Sequence, residues 1–385
     1  MPTRGTVLFS QGFRPFFLFA GLWAALAVPL WLLIFQGRLA LPTVFDFAAW
    51  HAHEMTFGYA GAVIAGFLLT AIPNWTGRLP LIGPPLAMLF FAWLVGRVAV
   101  ALSGLLGGPL TAALDLAFLA ALLAVALREI VAGRNWRNLP IMLALGLLIV
   151  ANGITHMKAA GILETGGMGQ RLGIAVVIQL IALIGGRVIP SFTRNWLAKS
   201  GATRMPAPFA GFDKLCLLVT LVALAGWVAV PDQALTGVAL LVAGALQLAR
   251  LARWQGRQTL SEPLVWSLHL GFLWLPLGLL LLGASALWPT VLPATAGIHG
   301  LTSGAIGGMT LAVMTRATLG HSGRVLTADR WTAAIYLLVC LAAVLRIAAS
   351  VADAAYLSLL HGSGAAWTLA FVLFVLRYGR LQVFR

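Results

Sequence analysis

The stretch FAAWHAHEMTFGYAGAVIAGFLLTAI, residues 47–72, decides the fold. It is longer than the roughly 20 apolar residues that a helix needs to cross the hydrocarbon core of a bilayer. It contains no Lys, Arg or Asp, yet its first turns hold His51, His53 and Glu54. A long apolar helix with metal-competent side chains at one end is a costly arrangement in lipid. The rest of the chain says whether lipid is the solvent.

Outward from that stretch, the 385 residues are 61% hydrophobic and only 9% charged, and mean hydropathy is +0.97. Soluble domains carry about 25% charged residues. No water-soluble core could hide so much apolar surface. The chain therefore reads as an all-α, polytopic membrane helix bundle, because its apolar runs are of helix-spanning length and alternating barrel strands are absent.

Hydropathy gives twelve spans: 15–35, 47–72, 85–106, 109–130, 139–160, 170–190, 211–230, 234–253, 262–285, 293–316, 331–352 and 357–378. Prolines and glycines mark the breaks, among them Pro42, Pro73, Pro84, Pro109, Pro140, Pro190, Pro231 and Pro293. No long polar linker divides the chain, so residues 1–385 read as one domain; an internal duplication of six plus six helices is possible, but no clear repeated motif stands out. Of the 25 Lys and Arg residues, only Arg38, Lys158 and Arg171 fall near the junctions that follow odd-numbered spans, and only Arg97 and Arg346 lie deep within spans. The remainder, Arg250 among them, are assigned to the termini or to the junctions and loops that follow even-numbered spans. That asymmetry puts both termini in the cytoplasm. It also accounts for the net charge of +15 without nucleic acid. The N-terminus lacks a signal-peptide cleavage pattern, so the first span is retained.

Direction gives each polar residue a depth. His51, His53 and Glu54 lie roughly 6–10 Å in from the outer end of span 2. His299, at a similar depth in span 10, and His156 and His361 also lie in the outer part. His269 lies toward the cytoplasm, and His321 in a cytoplasmic loop.

On a regular helix His51, Glu54 and Met55 share one face, while His53 and Phe57 look the other way. The spacing suits a helix standing between two sites; end-capping is the plainer reading. In IHGLTSGAIGGMTLAVMTRATLGHSGR, residues 298–324, Gly300, Gly304 and Gly307 or Gly308 form a small-residue stripe. Helix packing explains such a stripe as well as a planar cofactor does, and His299 favours the cofactor. Met309 and Met314 read as packing. His269, between Trp266 and Trp274, is a haem axial ligand or a buried histidine bonded to a carbonyl. Arg187 and Arg316 could hold haem propionates, or simply follow the charge rule. Arg97 and Asp115 lie at matching depths and read as a structural ion pair.

At these residues the chain resembles a known family. WHAHEMTFGYAGAVIAGFLLTAIPNWTGR, GGRVIPSFTRN, SLHLGFLWLPLGL and HGLTSGAIGGMTLAVMTRATLGHSGR are similar to segments of the NnrS family. The resemblance runs from FRPFFLFAGL to the loop after span 10. It implies a polytopic protein of the bacterial inner membrane, containing haem and copper and linked to nitric oxide metabolism and nitrosative stress. No CxxCH is present, and Cys216 and Cys340 lie far apart, so the haem would be b-type. The ligand assignment is our inference: His53 and His299 grip haem b, and His51, Glu54 and His156 hold copper. His269 is an alternative axial ligand, and Glu54 is the candidate catalytic carboxylate. Whether nitric oxide is reduced, bound or sensed is open, as are a membrane or periplasmic electron donor and homo-oligomerisation. The competing reading is a transporter whose intramembrane histidines form a proton or substrate path.

Overall fold

The computed structural model describes residues 7–384, and the regular elements among them are helices. They are α1 (Phe13–Phe35), α2 (Phe47–Thr76), α3 (Pro84–Ala101), α4 (Gly108–Ala132), α5 (Trp136–Ala159) and α6 (Met168–Lys199). Then follow α7 (Gly211–Ala229), α8 (Ala234–Ala252), α9 (Pro263–Leu287), α10 (294–321), α11 (Arg330–Ala349) and α12 (Asp353–Val383). Among the described residues, eleven of these are long and apolar enough to span a membrane. The twelfth, α10, is unbroken but carries too many Gly, Thr and His residues to meet that composition. The chain is a multi-pass membrane protein.

Local sequence explains the ends. Pro84, Pro109 and Pro263 sit in first turns, where a missing N–H costs nothing. Asp46 caps α2, its carboxylate accepting from Ala48 N at 2.9 Å and Ala49 N at 2.8 Å. Gly77 closes the same helix at φ +70°, a conformation that disfavours a side chain. Two expected breaks do not occur. Pro73 and Pro190 lie inside α2 and α6, which run on to Thr76 and Lys199. Proline is tolerated inside membrane helices because neighbouring groups satisfy the freed backbone.

Two helices widen into π turns, Glu54–Ala60 in α2 and Gly300–Ile306 in α10. Each turn begins one residue after a histidine, His53 or His299. Set in register, 246 residues apart, segments 53–78 and 299–324 share His53/His299, Thr56/Thr302, Gly58/Gly304, Gly61/Gly307, Ala71/Ala317, Gly77/Gly323 and Arg78/Arg324. Gly323, like Gly77, has positive φ, at +66°. A Cβ on Gly58 would meet Trp23 of α1, and one on Gly304 would meet Trp274 of α9. In α3 and α11, Val95/Val344, Arg97/Arg346 and Ala99/Ala348 also align. The helices α1–α3 and α9–α11 thus repeat one arrangement. The sequence alone leaves such a duplication possible but shows no clear motif, because the identities are sparse in an Ala- and Leu-rich background and only the matching π turns fix the register.

The chain forms two compact units, one holding residues up to Val176 together with Phe374 onward, the other Val177–Leu373. Each carries one copy of the repeat.

Candidate functional site: a buried histidine–carboxylate centre

In the first unit four helices converge on one polar cluster. Helix α2 contributes His53 and Glu54, α3 contributes Arg97, α4 contributes Asp115, and α5 contributes Asn152 and His156. All six are buried. The π turn opens at Glu54, and the neighbouring side chains of His53 and Glu54 face each other, Nδ1 to Oε1 at 3.1 Å. π turns recur at functional positions in helices. Glycines make the approach feasible. A Cβ on Gly58 would lie 2.7 Å from Arg97 Nη1 and 2.8 Å from Glu54 Oε2, and one on Gly96 would lie 2.9 Å from Asp115 Oδ1.

Asp115 is the hub. Its Oδ2 accepts from Asn152 Nδ2 at 2.8 Å and lies 2.9 Å from His156 Nε2 and 3.0 Å from His53 Nε2. Its Oδ1 accepts from Arg97 Nη2, and Arg97 Nη1 donates to Glu54 Oε1 at 2.7 Å. His53 Nε2 also lies 2.9 Å from Asn152 Oδ1. Both ring nitrogens of His53 therefore face oxygen acceptors. Two carboxylates and one guanidinium leave one negative charge over. A proton on His53 or a bound cation closes that balance, as a low-dielectric site requires.

The donor set is one that could hold a metal ion. One ligand atom each from His53, Asp115 and His156 lie within 4.8 Å of one another. Glu54 at His53 Nδ1 stands where a carboxylate would orient a metal-ligating imidazole. Imidazole with carboxylate suits copper, zinc and iron.

The other expected residues lie elsewhere. His51 packs against Trp31, the rings tilted by 32° with centroids 4.5 Å apart; the side chain grouped with Glu54 and His156 is His53. The centre takes His53 where His51 was expected beside Glu54 and His156. Arg97 and Asp115 form the expected ion pair, but as part of this centre. In the second unit His269 bonds Thr193 Oγ1 through Nε2 at 2.8 Å, and a Cβ on Gly256 would meet its Nδ1 at 2.6 Å. His299 is half-buried, and its Nδ1 donates to Thr295 O at 2.7 Å. Arg187 is half-buried in α6, and Arg316 lies 3.9 Å over the ring of Phe192. The α10 glycines receive protein: Cβ atoms on Gly304 and Gly307 would meet Trp274 and Trp367 at 2.6 Å, and one on Gly300 would meet Gly278 Cα at 3.0 Å. Close packing thus accounts for that stripe.

Sequence reasoning missed Asn152 as a member of the centre. The available signal was a polar residue one turn from His156 within a span. It also placed Arg250 in a cytoplasmic loop. Arg250 is fully buried, donating to Asp213 Oδ1 at 2.9 Å and to Ala182 O at 2.9 Å.

Against known proteins, a family model described as NnrS protein matches residues 7–383. None of the curated proteins and none of the solved structures matches the chain.

Proposed function

The chain belongs to the NnrS family, and on that footing we propose that it is a haem- and copper-containing protein of the bacterial cytoplasmic membrane that binds or reduces nitric oxide. Membership supports a role in nitric oxide-related metabolism in general. The finer reading is carried by one observation: the buried donor set of His53, Asp115 and His156, with Glu54 behind His53. A monovalent copper ion in place of the His53 proton would keep that site neutral. Here His53 and His156 would hold the metal, Asp115 would bridge them, and Arg97 would hold both carboxylates in place.

The repeat supports a second histidine site of different character. In α10, Gly300 stands where α2 has Glu54, and α12 has no carboxylate beyond Asp353. A site built on His299 would suit a group that brings its own acids, as haem b does. His299 Nδ1 donates to the Thr295 carbonyl, and this supports His299 as the residue that would hold such a group through Nε2. His269 fits that role poorly, since one nitrogen is bonded to Thr193 and the other is pressed against Gly256. Bound copper and haem would supply one-electron exchange and a coordination position for a small neutral ligand. Nitric oxide, which partitions into lipid, suits a site reached through the bilayer. Positive loops on one side support cytoplasmic termini, and an electron donor from the membrane or periplasm would serve either activity.

The test is an optical spectrum of detergent-purified protein, oxidised, reduced and reduced with nitric oxide, with iron and copper assayed on the same sample. His53→Ala and His156→Ala are expected to lose copper by at least about tenfold in affinity and to keep the haem band. His51→Ala is expected to keep both, and His299→Ala to lose the haem band. A folded, colourless, metal-free protein would sink the proposal and leave the buried network as the proton or substrate path of a transporter.

A further inference from the structure

Where α2 and α4 end, the first unit has a groove of about 520 Å³. Leu69, Ile72, Pro73 and Val125 form its apolar floor, and Arg78, Arg128 and Glu129 its rim. This is within the size range of sites that take small organic groups. The ends of the two helices are tied together, since Asn135 Nδ2 donates to Trp75 O and a Cβ on Gly133 would meet Thr76. Glu129 accepts from Arg78 Nε and from Arg128 Nε, the latter at 2.8 Å. It engages only part of each guanidinium: the Arg78 and Arg128 side chains remain 44% and 64% exposed. The three groups sum to one positive charge over an apolar floor.

Two further features give the depth. Trp75 lies in the chain between the lining residues Pro73 and Gly77, and the exposed Trp136 follows Asn135, which is bonded to Trp75; Trp concentrates at the headgroup level of membranes. The connecting loop GRLPLIG turns Leu79 and Ile82 outward, with Leu79 90% exposed. An apolar loop at that level lies against acyl chains rather than in water. Arg134 and Arg137 add positive charge in the adjoining loop.

We propose that this groove is a binding site for one anionic phospholipid, its phosphate on Arg78 and Arg128 and its first acyl carbons on Leu69, Ile72 and Val125. A phosphodiester brings the single negative charge that the rim lacks, and the fork of each arginine suits phosphate oxygens. A zwitterionic headgroup brings no net charge, so the site discriminates by headgroup. This stands apart from the metal reading, since none of these residues belongs to the His53 centre.

The experiment uses the full chain equilibrated with equal amounts of phosphatidylglycerol and phosphatidylcholine, with retained lipid counted by native mass spectrometry. The wild type is expected to retain one phosphatidylglycerol with a preference of roughly ten- to thirty-fold, the scale set by two basic residues at a membrane surface. Arg78→Gln with Arg128→Gln is expected to abolish that preference. Arg204→Gln with Arg257→Gln, an equal charge loss at exposed positions elsewhere, is expected to keep it. No preference in the wild type, a preference that survives in the first variant, or equal loss in both would overturn the proposal. So would a lipid-free dimer that the first variant dissociates. A photoreactive phosphatidylglycerol on the wild-type protein tests it without relying on variants that fold. Cross-links to 69–81 and 125–129 support the site, and cross-links confined to other segments refute it.

Discussion

Asp115→Ala is expected to be the most damaging single change in the first unit, costing roughly 3–5 kcal/mol, the range for removing one partner of a buried charge network. The alanine would leave Arg97 with only Glu54 and would take the shared acceptor from His53, His156 and Asn152 at once. In the membrane interior water does not make up the loss. Thermal unfolding in detergent and the folded yield from membranes would both report it. Adding Arg97→Met is expected to restore part of the loss, because the second change removes the orphaned charge and the pair is strongly coupled. Strictly additive effects, or an Asp115→Ala protein as stable as wild type, would show that these groups do not form one network. The same variant is expected to lower copper content, which a purely structural salt bridge would not require.

Gly186→Ala is the second large effect, and it lies in the second unit, away from any histidine. A Cβ at that position would fall 2.0 Å from Arg250 Nη2 and 2.6 Å from its Cζ. The guanidinium cannot share that space, so it must leave Asp213 and the Ala182 carbonyl or push the helices apart. Either way a buried charge loses its partners, at a cost again on the order of 3 kcal/mol or more. The sign is informative, because Gly→Ala in an unconstrained helix stabilises by about 1 kcal/mol. Gly185→Ala is the internal comparison: its Cβ meets the edge of Phe272 at 3.1 Å and Met309 Cε at 3.6 Å, and a ring edge and a methionine end can shift. The expected result is a large fall in unfolding temperature for Gly186→Ala and a small change for Gly185→Ala. A neutral or stabilising Gly186→Ala would mean that Arg250 is held less tightly than its contacts indicate.

Both predictions rest on positions that the sequence marks only faintly. Asp115 is visible as a carboxylate inside a span, and its pairing with Arg97 follows from matched depth in adjacent helices. What cannot be read along the chain is that Glu54, His53, His156 and Asn152 meet there as well. Helical periodicity assigns His53 and Glu54 to different faces, yet their side chains meet where the π turn begins. Arg250 counts as a loop residue under the charge rule, yet Gly186 opens a place for it against α6. The repeat stayed hidden for a similar reason. Alanine, leucine and glycine are so common here that a few identities carry little weight until a shared backbone feature aligns them.

The sequence by itself determined the membrane class, the twelve helical rods, most of their limits and the residues able to carry chemistry. Those follow from local hydropathy, from the length of a bilayer crossing and from the rarity of ionisable groups in lipid. Tertiary structure alone decided which of those residues share a site, because contact between side chains from four helices depends on packing and on local departures from the regular period. His53 rather than His51 joins the centre because its ring reaches Glu54, Asp115 and Asn152, and because Gly58 and Gly96 let Arg97 and Asp115 come close.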